Sequence, residues 1–446
     1  MNATISRVNR VGAGGSALRP RGLFFSFRLH LPASSRLFSS YYVAPAVNVQ
    51  HPHPPDSSTS VPGAEQQPRL RIQLQHSPSY LGHFSSRVTR PSNEDRYALG
   101  VITVPAGSSL TPRAQKHSPA VSVRQAFFYS IFDGHGGPEC ADFLSQNLPE
   151  YIEQCNPNSW DELERDWREN VGGYWARWRG HHEKYSRMLS SQSDLAVRLP
   201  MAFLQADYDY TIANKKAGST CTAVMIYSTS PNPIPYFAGG QARLTIAHVG
   251  DTRCILCDAN GLAHPLTSAH HLSSTIESDR LRRYASSFFV DSFGEERFGN
   301  VENTRAFGDI SMKRLGVSAE PDITEYILGG KANPAIDPDA GRSPTFGGNE
   351  PFLVLVTDGV SNYVSDQEVV DLVTSTGYRS GYARGTPQDA ASEIVKFAEA
   401  VGGNDNATCL VIRLSGWAKW MAKPTDRTGD LREYRLREAF ENPRGR

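Results

Sequence analysis

The chain has 446 residues, 39% of them apolar, enough to bury one large core of about 300 residues or two smaller ones without disulfide or metal staples. Its 46 basic residues balance 46 acidic ones, so no overall field points to nucleic acid or an anionic membrane surface as partner. Six cysteines, at 140, 155, 221, 254, 257 and 409, form no dense framework, which fits a reducing compartment. No apolar run reaches the roughly 18 residues of a membrane-spanning helix, so membrane insertion is not expected.

Residues 1–55 carry six arginines and no Asp or Glu. That is the composition of a mitochondrial transit peptide, whose positive amphipathic face is read by the import machinery. A secretory signal would need one unbroken apolar segment, and here Arg28 and His30 interrupt it. Arg36-Leu37-Phe38-Ser39 has the arginine-plus-aromatic pattern of a matrix processing site. Residues 56–79, within a Pro-, Ser-, His- and Gln-rich stretch that begins at Val43, read as a flexible linker. The folded domain is expected over residues 80–415.

Within it, short apolar runs predict strands at Phe127–Phe132, Thr220–Tyr227, Leu244–Val249, Phe352–Val356 and Ala407–Leu414. Pro138 opens a helical pattern that reaches Gln154. Asn156–Arg187, with four of the six tryptophans, reads as an amphipathic helical insertion, and Gly329–Asn349 as a surface loop. Ser365-Asp366-Gln367-Glu368 is a capping box ahead of a helix ending near Gly377, and Thr386-Pro387 starts another through Ala400. In the charged tail, 416–446, a helix is expected from about Arg427 to Phe440, either solvated or docked. Strands and helices mix without strict alternation, which predicts an α+β fold.

The chemistry lies at the strand ends. An apolar strand delivers Asp133, and Gly134, Gly136 and Gly137 then let the backbone turn sharply. A second apolar strand ends in Thr357-Asp358-Gly359, and Asp405 stands just before a third. Converging carboxylates repel unless cations neutralise them, and an all-oxygen set selects hard ions such as Mg²⁺ or Mn²⁺ over Zn²⁺. Cys254-Ile255-Leu256-Cys257 has no second pair and reads as strand, not as a metal site; His181-His182 and His270-His271 read as surface or loop histidines. Arg90-Pro91-Ser92-Asn93-Glu94-Asp95-Arg96 adds two acids and a guanidinium fork suited to phosphate oxygens.

Nine segments in order, RPSNEDR, FDGHGG, GSTCTAVMI, AHVGDTRCIL, PLTSAHH, ENTRAFGD, AEPDI, VTDGV and GGNDNAT, resemble the metal-dependent protein serine/threonine phosphatases of type 2C over residues 87–414. The resemblance implies a four-layer sandwich of two antiparallel β-sheets flanked by α-helices. It implies a two-metal centre of Mg²⁺ or Mn²⁺, with Asp133 bridging, Asp358 and Asp405 completing one site, and Glu94 with the Gly134 carbonyl completing the other. Asp95 would act through water, Asp251 would belong to a third, weaker site, Arg90 would hold the substrate phosphate, and His135 would protonate the leaving oxygen. Arg305 and Asp309 look structural or flap-supporting. The reaction would be direct attack of a metal-activated water on phosphoserine or phosphothreonine, with no covalent phosphoenzyme.

Departures stand beside the matches. The family's usual Asp four residues after the aspartate of its S-D-G motif is Asn362 here, its Trp is Ser361, and its L-T-x-D-H acid is Ala269. A neutral amide holds a hard cation less tightly, so the third site is in doubt, and the flap over Glu277–Thr304 matches poorly. Expected substrates are phosphorylated mitochondrial matrix proteins, a pyruvate dehydrogenase component among them by analogy. A pseudophosphatase scaffold is the alternative, and a metal-dependent nucleic-acid hydrolase is disfavoured by the balanced charge.

Overall fold

The computed structural model describes residues 41–45, 69–105, 123–178, 195–213, 216–229, 235–282, 288–290, 296–298, 303–329, 345–379, 385–417 and 426–441. In the Val123–Phe132 strand, Phe127, Tyr129 and Ile131 join one apolar cluster while Ala126, Phe128 and Phe132 join another. Successive side chains point to opposite faces of a sheet, so a strand that is apolar on both faces must be covered on both.

Two sheets result. One has six strands in the order 345–346, 322–328, 242–249, 221–228, 123–132 and 96–105; all neighbours are antiparallel except the short edge strand Thr345–Phe346, which runs parallel to Asp322–Leu328. The other has five antiparallel strands in the order 263–265, 253–257, 352–356, 407–413 and 81–86. Between them Tyr129, Ile131, Val224 and Leu244 meet Leu256, Leu353, Leu355 and Leu410. Helices Glu139–Gln154 and Leu195–Ile212 cover the outer face of the six-stranded sheet; Asp366–Arg379 and Pro387–Ala400 cover that of the five-stranded one. The expected four-layer α+β sandwich is therefore the observed one. Truncating a wholly buried side chain such as Leu355 to Ala would cost about 2–5 kcal/mol.

Local signals account for the element ends. Thr386 and Asp389 form a reciprocal capping box, with Pro387 as the first helical residue. Glu368 accepts from the Ser365 N–H and hydroxyl, but the helix runs past Gly377 to Arg379. The tryptophan-rich insertion is helical over Trp160–Asp166, Trp167–Val171 and Tyr174–Arg177. Its four indoles are buried against Val197, Met201, Leu204 and Tyr208 of the Leu195–Ile212 helix.

Two expectations need correction. The residues before 80 are not all linker, and Tyr41–Pro45 lies inside the expected transit peptide: this strand pairs antiparallel with Arg69–Gln73, and Leu74, only 1% exposed, belongs to the inter-sheet core. Backbone pairing and one buried leucine outweigh the polar composition around them. His270 is not a surface histidine. It is 3% exposed, accepting from the Gly250 N–H and paired with Asp322 at 3.0 Å. The tail helix, Gly429–Glu441, is docked, as described below. Residues 1–40, 330–344 and half of the flap lie outside the described residues. Among the described residues, no helix is long and apolar enough to cross a membrane.

Candidate active site

Strand register gathers the expected residues at one end of the sandwich. Arg96 lies opposite Phe132, which carries Glu94 and Asp95 to the side of Asp133. Val356 lies opposite both Arg253 and Cys409, so the turn holding Asp358 sits between the hairpin bearing Asp251 and the loop bearing Asp405. Arg90, Glu94, Asp133, Gly134, His135, Asp251, Asp358 and Asp405 all line one cleft of about 530 Å³, and Asp95 lies beneath it, 3% exposed. A Cβ on Gly134 would stand 2.4 Å from the Glu94 carbonyl, so only glycine lets these two loops approach so closely.

The electrostatics are those of acids pressed together. Burial pushes the Asp95 carboxyl up to about 7; hydrogen bonds from Thr408 and Thr357 work the other way, and the Asp358 and Asp405 charges add to the rise. Asp133 is raised well above the carboxylate range, first by burial and then by Asp95, Asp358 and Asp251. Asp251 is held low despite burial, by hydrogen bonds from His271 and Asn303.

The donor set fits hard divalent cations. One Asp95 oxygen accepts from Thr357 and Thr408 at 3.0 and 2.7 Å, while the other is buried without a partner. A buried carboxylate oxygen left unpaired beside several like charges is costly unless positive charge arrives. Among the described residues no three acid, histidine or cysteine side chains are already drawn into one compact coordination shell. The cleft acids hold protein partners instead: Asp405 takes Arg90 at 2.7 Å, Asp358 takes the Asn362 amide at 3.2 Å, and Glu94 takes the Gly137 N–H at 3.0 Å. The Arg90–Asp405 pair is 54% and 37% exposed, and such pairs are worth little, so it exchanges easily for a phosphate.

Sequence reasoning missed what orients His135. Its Nε2 lies 3.0 Å from both carboxylate oxygens of Asp309, 174 residues away. Burial lowers the basicity of the ring, but the Asp309 hydrogen bond and charge, with Asp251 and Glu94, more than offset it, and the net shift is upward. Gly218 makes room for the pair, since a Cβ there would stand 2.2 Å from His135 Nε2 and 2.6 Å from an Asp309 oxygen. Asp309 itself is left-handed, at φ 49°. Behind it the wholly buried Lys313 donates to Asp207 at 2.6 Å and to the Ala306 carbonyl, and Asp207 accepts the Gly308 N–H at 2.8 Å. The only sequence signal was an acid in ENTRAFGD, read as structural or flap-supporting. Thr357, Thr408, Asn406 and His271, which hold the acids, were also missed.

A sandwich whose strand ends bring six acids, an arginine and a carboxylate-paired histidine into one cleft has the make-up of a phosphate-ester hydrolase. The chain belongs to the protein phosphatase 2C family, whose model matches residues 109–407. It is 38% identical to protein phosphatase 2C homolog 4 of Schizosaccharomyces pombe, over 79% of this chain and 84% of that protein. It is 23% identical to the mitochondrial protein phosphatase 1K of Xenopus laevis, over 74% of this chain and 66% of that one. A crystal structure of a phosphatase from Toxoplasma gondii aligns over 76% of this chain and 93% of its own, with 16% identity and a TM-score of 0.49. The chain is thus a protein phosphatase of a metal-dependent family.

Proposed function

We propose that this cleft hydrolyses phosphoserine and phosphothreonine in proteins, with Asp133, Asp358, Asp405, Glu94 and the Gly134 carbonyl holding two Mg²⁺ or Mn²⁺ ions. The observation that carries the reading is the unpartnered, buried Asp95 oxygen, with burial and neighbouring carboxylates raising both Asp95 and Asp133. Divalent cations bound there would supply charge neutralisation of the phosphoryl group and acidification of an attacking water. Every other task falls to the chain. Arg90 on the cleft rim offers its planar fork to the phosphate. His135, its basicity raised by the Asp309 carboxylate, gives its proton to the departing seryl or threonyl oxygen. Asp95, fixed by two threonines, supports the ligands from below. Asp251, already held by His271, belongs to the weaker third site, and Asn362 in place of a carboxylate keeps that site weak.

We place this activity in mitochondria, on phosphorylated matrix enzymes such as a pyruvate dehydrogenase component. The acid-free, arginine-rich first 55 residues support the location, as does a relative named as mitochondrial. A reporter fused to residues 1–55 should enter mitochondria; cytosolic retention would remove the assignment. For the chemistry, the full chain should release phosphate from a phosphothreonine peptide with Mn²⁺ and lose this with Asp358→Ala. Unchanged release by that variant would refute the ligand set.

A further inference from the structure

The C-terminal helix, Gly429–Glu441, follows the segment that matches the family, and it is attached by charge instead of by an apolar face. Leu431, Tyr434, Leu436 and Phe440 are 40–87% exposed, while Arg432 is buried at 6%. The attachment begins at Asp371, 1% exposed, which accepts the N–H groups of Arg427 and Thr428 at 2.9 and 2.8 Å. It ends at Arg435. That guanidinium donates to Glu368 at 2.7 Å and to the backbone carbonyl of Tyr363 at 2.5 Å. Glu368 is the same side chain that caps its own helix through Ser365.

Tyr363 closes the short turn that Asp358 opens, with Asn362 between them bonded to Asp358. Its phenol reaches the loop before Asp405 and donates to Asn404 Oδ1 at 2.9 Å. The Asn404 carbonyl in turn accepts from Thr89, next to Arg90, at 2.9 Å, and the following residue is Asp405. One polar route therefore runs from the C-terminal helix to the two loops that carry Asp358 and Asp405. We propose that Arg435 and Tyr363 are positioning residues: the docked helix pins the Asp358 turn, and the Tyr363 phenol ties that turn to the Asp405 loop, so the helix sets the spacing of two carboxylates that share a cation. This inference rests on reading Asp358 and Asp405 as cation ligands.

The geometry explains why the tie is needed. Asp358 and Asp405 lie on separate loops, and like charges push them apart until a cation arrives. Loops held at their far ends lose less freedom when a ligand closes them, so binding is tighter for the same contacts. A helix held chiefly by polar contacts to Asp371, Glu368 and the Tyr363 carbonyl can also be released by whatever competes for those groups, which would make cation affinity adjustable from outside the cleft.

Mn²⁺ titration by calorimetry on the full chain tests this, alongside thermal melting in chelator. Wild type should bind Mn²⁺ and Asp358→Ala should lose the heat of binding; failure of either removes the underlying ligand assignment. Given that control, Tyr363→Phe and Arg435→Met should each weaken Mn²⁺ binding about fivefold, the worth of one net hydrogen bond. The double variant should be no weaker than the worse single one, because both act along one route. Tyr363→Phe should melt in chelator within about 2 °C of wild type. Wild-type affinity in both single variants would overturn the positioning role. So would weaker binding by Tyr363→Phe accompanied by a large loss of melting temperature, which would make the phenol merely structural.

Discussion

Two clusters of acids in this molecule meet opposite fates. Around Arg305, Glu277 takes the guanidinium at 2.6 and 3.0 Å and Arg280 at 2.8 Å, and Asp322 takes Arg305 at 2.8 Å and His270 at 3.0 Å. Burial alone would raise both carboxyls, but their cations win, and Glu277 falls to about 2 while Asp322 is held lower still. In the cleft, burial acts on Asp95 and Asp133 in the same way, but the nearest charges are negative and both rise. The first cluster is neutralised within the chain, as a structural ion-pair network must be. The second leaves its charge for something from outside, which is the mark of a binding site.

The largest effect should come from breaking the neutralised cluster. Arg305→Ala leaves Glu277, 1% exposed, short of one of its two arginine partners and Asp322 without its guanidinium, and should cost about 3–5 kcal/mol in urea unfolding. Asp133→Asn, by contrast, should leave unfolding in chelator unchanged or more stable, since it removes a repelling charge.

The pH dependence separates the clusters further. Glu277 has a folded pKa below its unfolded value, so its contribution is complete above about 4.5 and is lost as pH falls towards 2, amounting to about 3 kcal/mol. The stability gap between wild type and Glu277→Gln should therefore narrow between pH 5 and pH 3; a constant gap would show that the network does not act through charge.

Within the cleft, Asp309→Asn should slow a phosphothreonine peptide about a hundredfold, the usual worth of a general acid. It should barely slow p-nitrophenyl phosphate, whose leaving group departs without a proton. Equal losses on both substrates would deny His135 that role. The smallest effect is expected of Asn362→Asp: a second carboxylate beside Asp358 should tighten Mn²⁺ binding about two- to fivefold, read by titration.

What the sequence made legible follows the range of the interactions involved. Strands such as Phe352–Val356 and caps such as Thr386 with Asp389 depend on near neighbours, and pattern alone predicts them. Asp133, Asp358 and Asp405 were readable because each stands beside an apolar strand with a glycine or asparagine next to it, whereas Glu94, Asp95 and Asp251 were legible only through the family resemblance. Asp309 was misjudged because its partner lies 174 residues away, and no local pattern encodes that meeting. His270 looked exposed for the same reason: the carboxylate and N–H that make its burial tolerable come from Asp322 and Gly250. The pairing of Tyr41–Pro45 with Arg69–Gln73 spans a stretch whose composition pointed to a linker.

The central claim is that the cleft's unbalanced carboxylates make it a cation-dependent protein phosphatase centre. The most direct measurement is phosphate release from a phosphothreonine peptide by the full chain, with Mn²⁺ or Mg²⁺ and with EDTA, beside Asp133→Ala. The account predicts release with either metal, none with EDTA, and a fall on the order of a thousandfold in the variant. Release that persisted in EDTA, or that Asp133→Ala left intact, would contradict it.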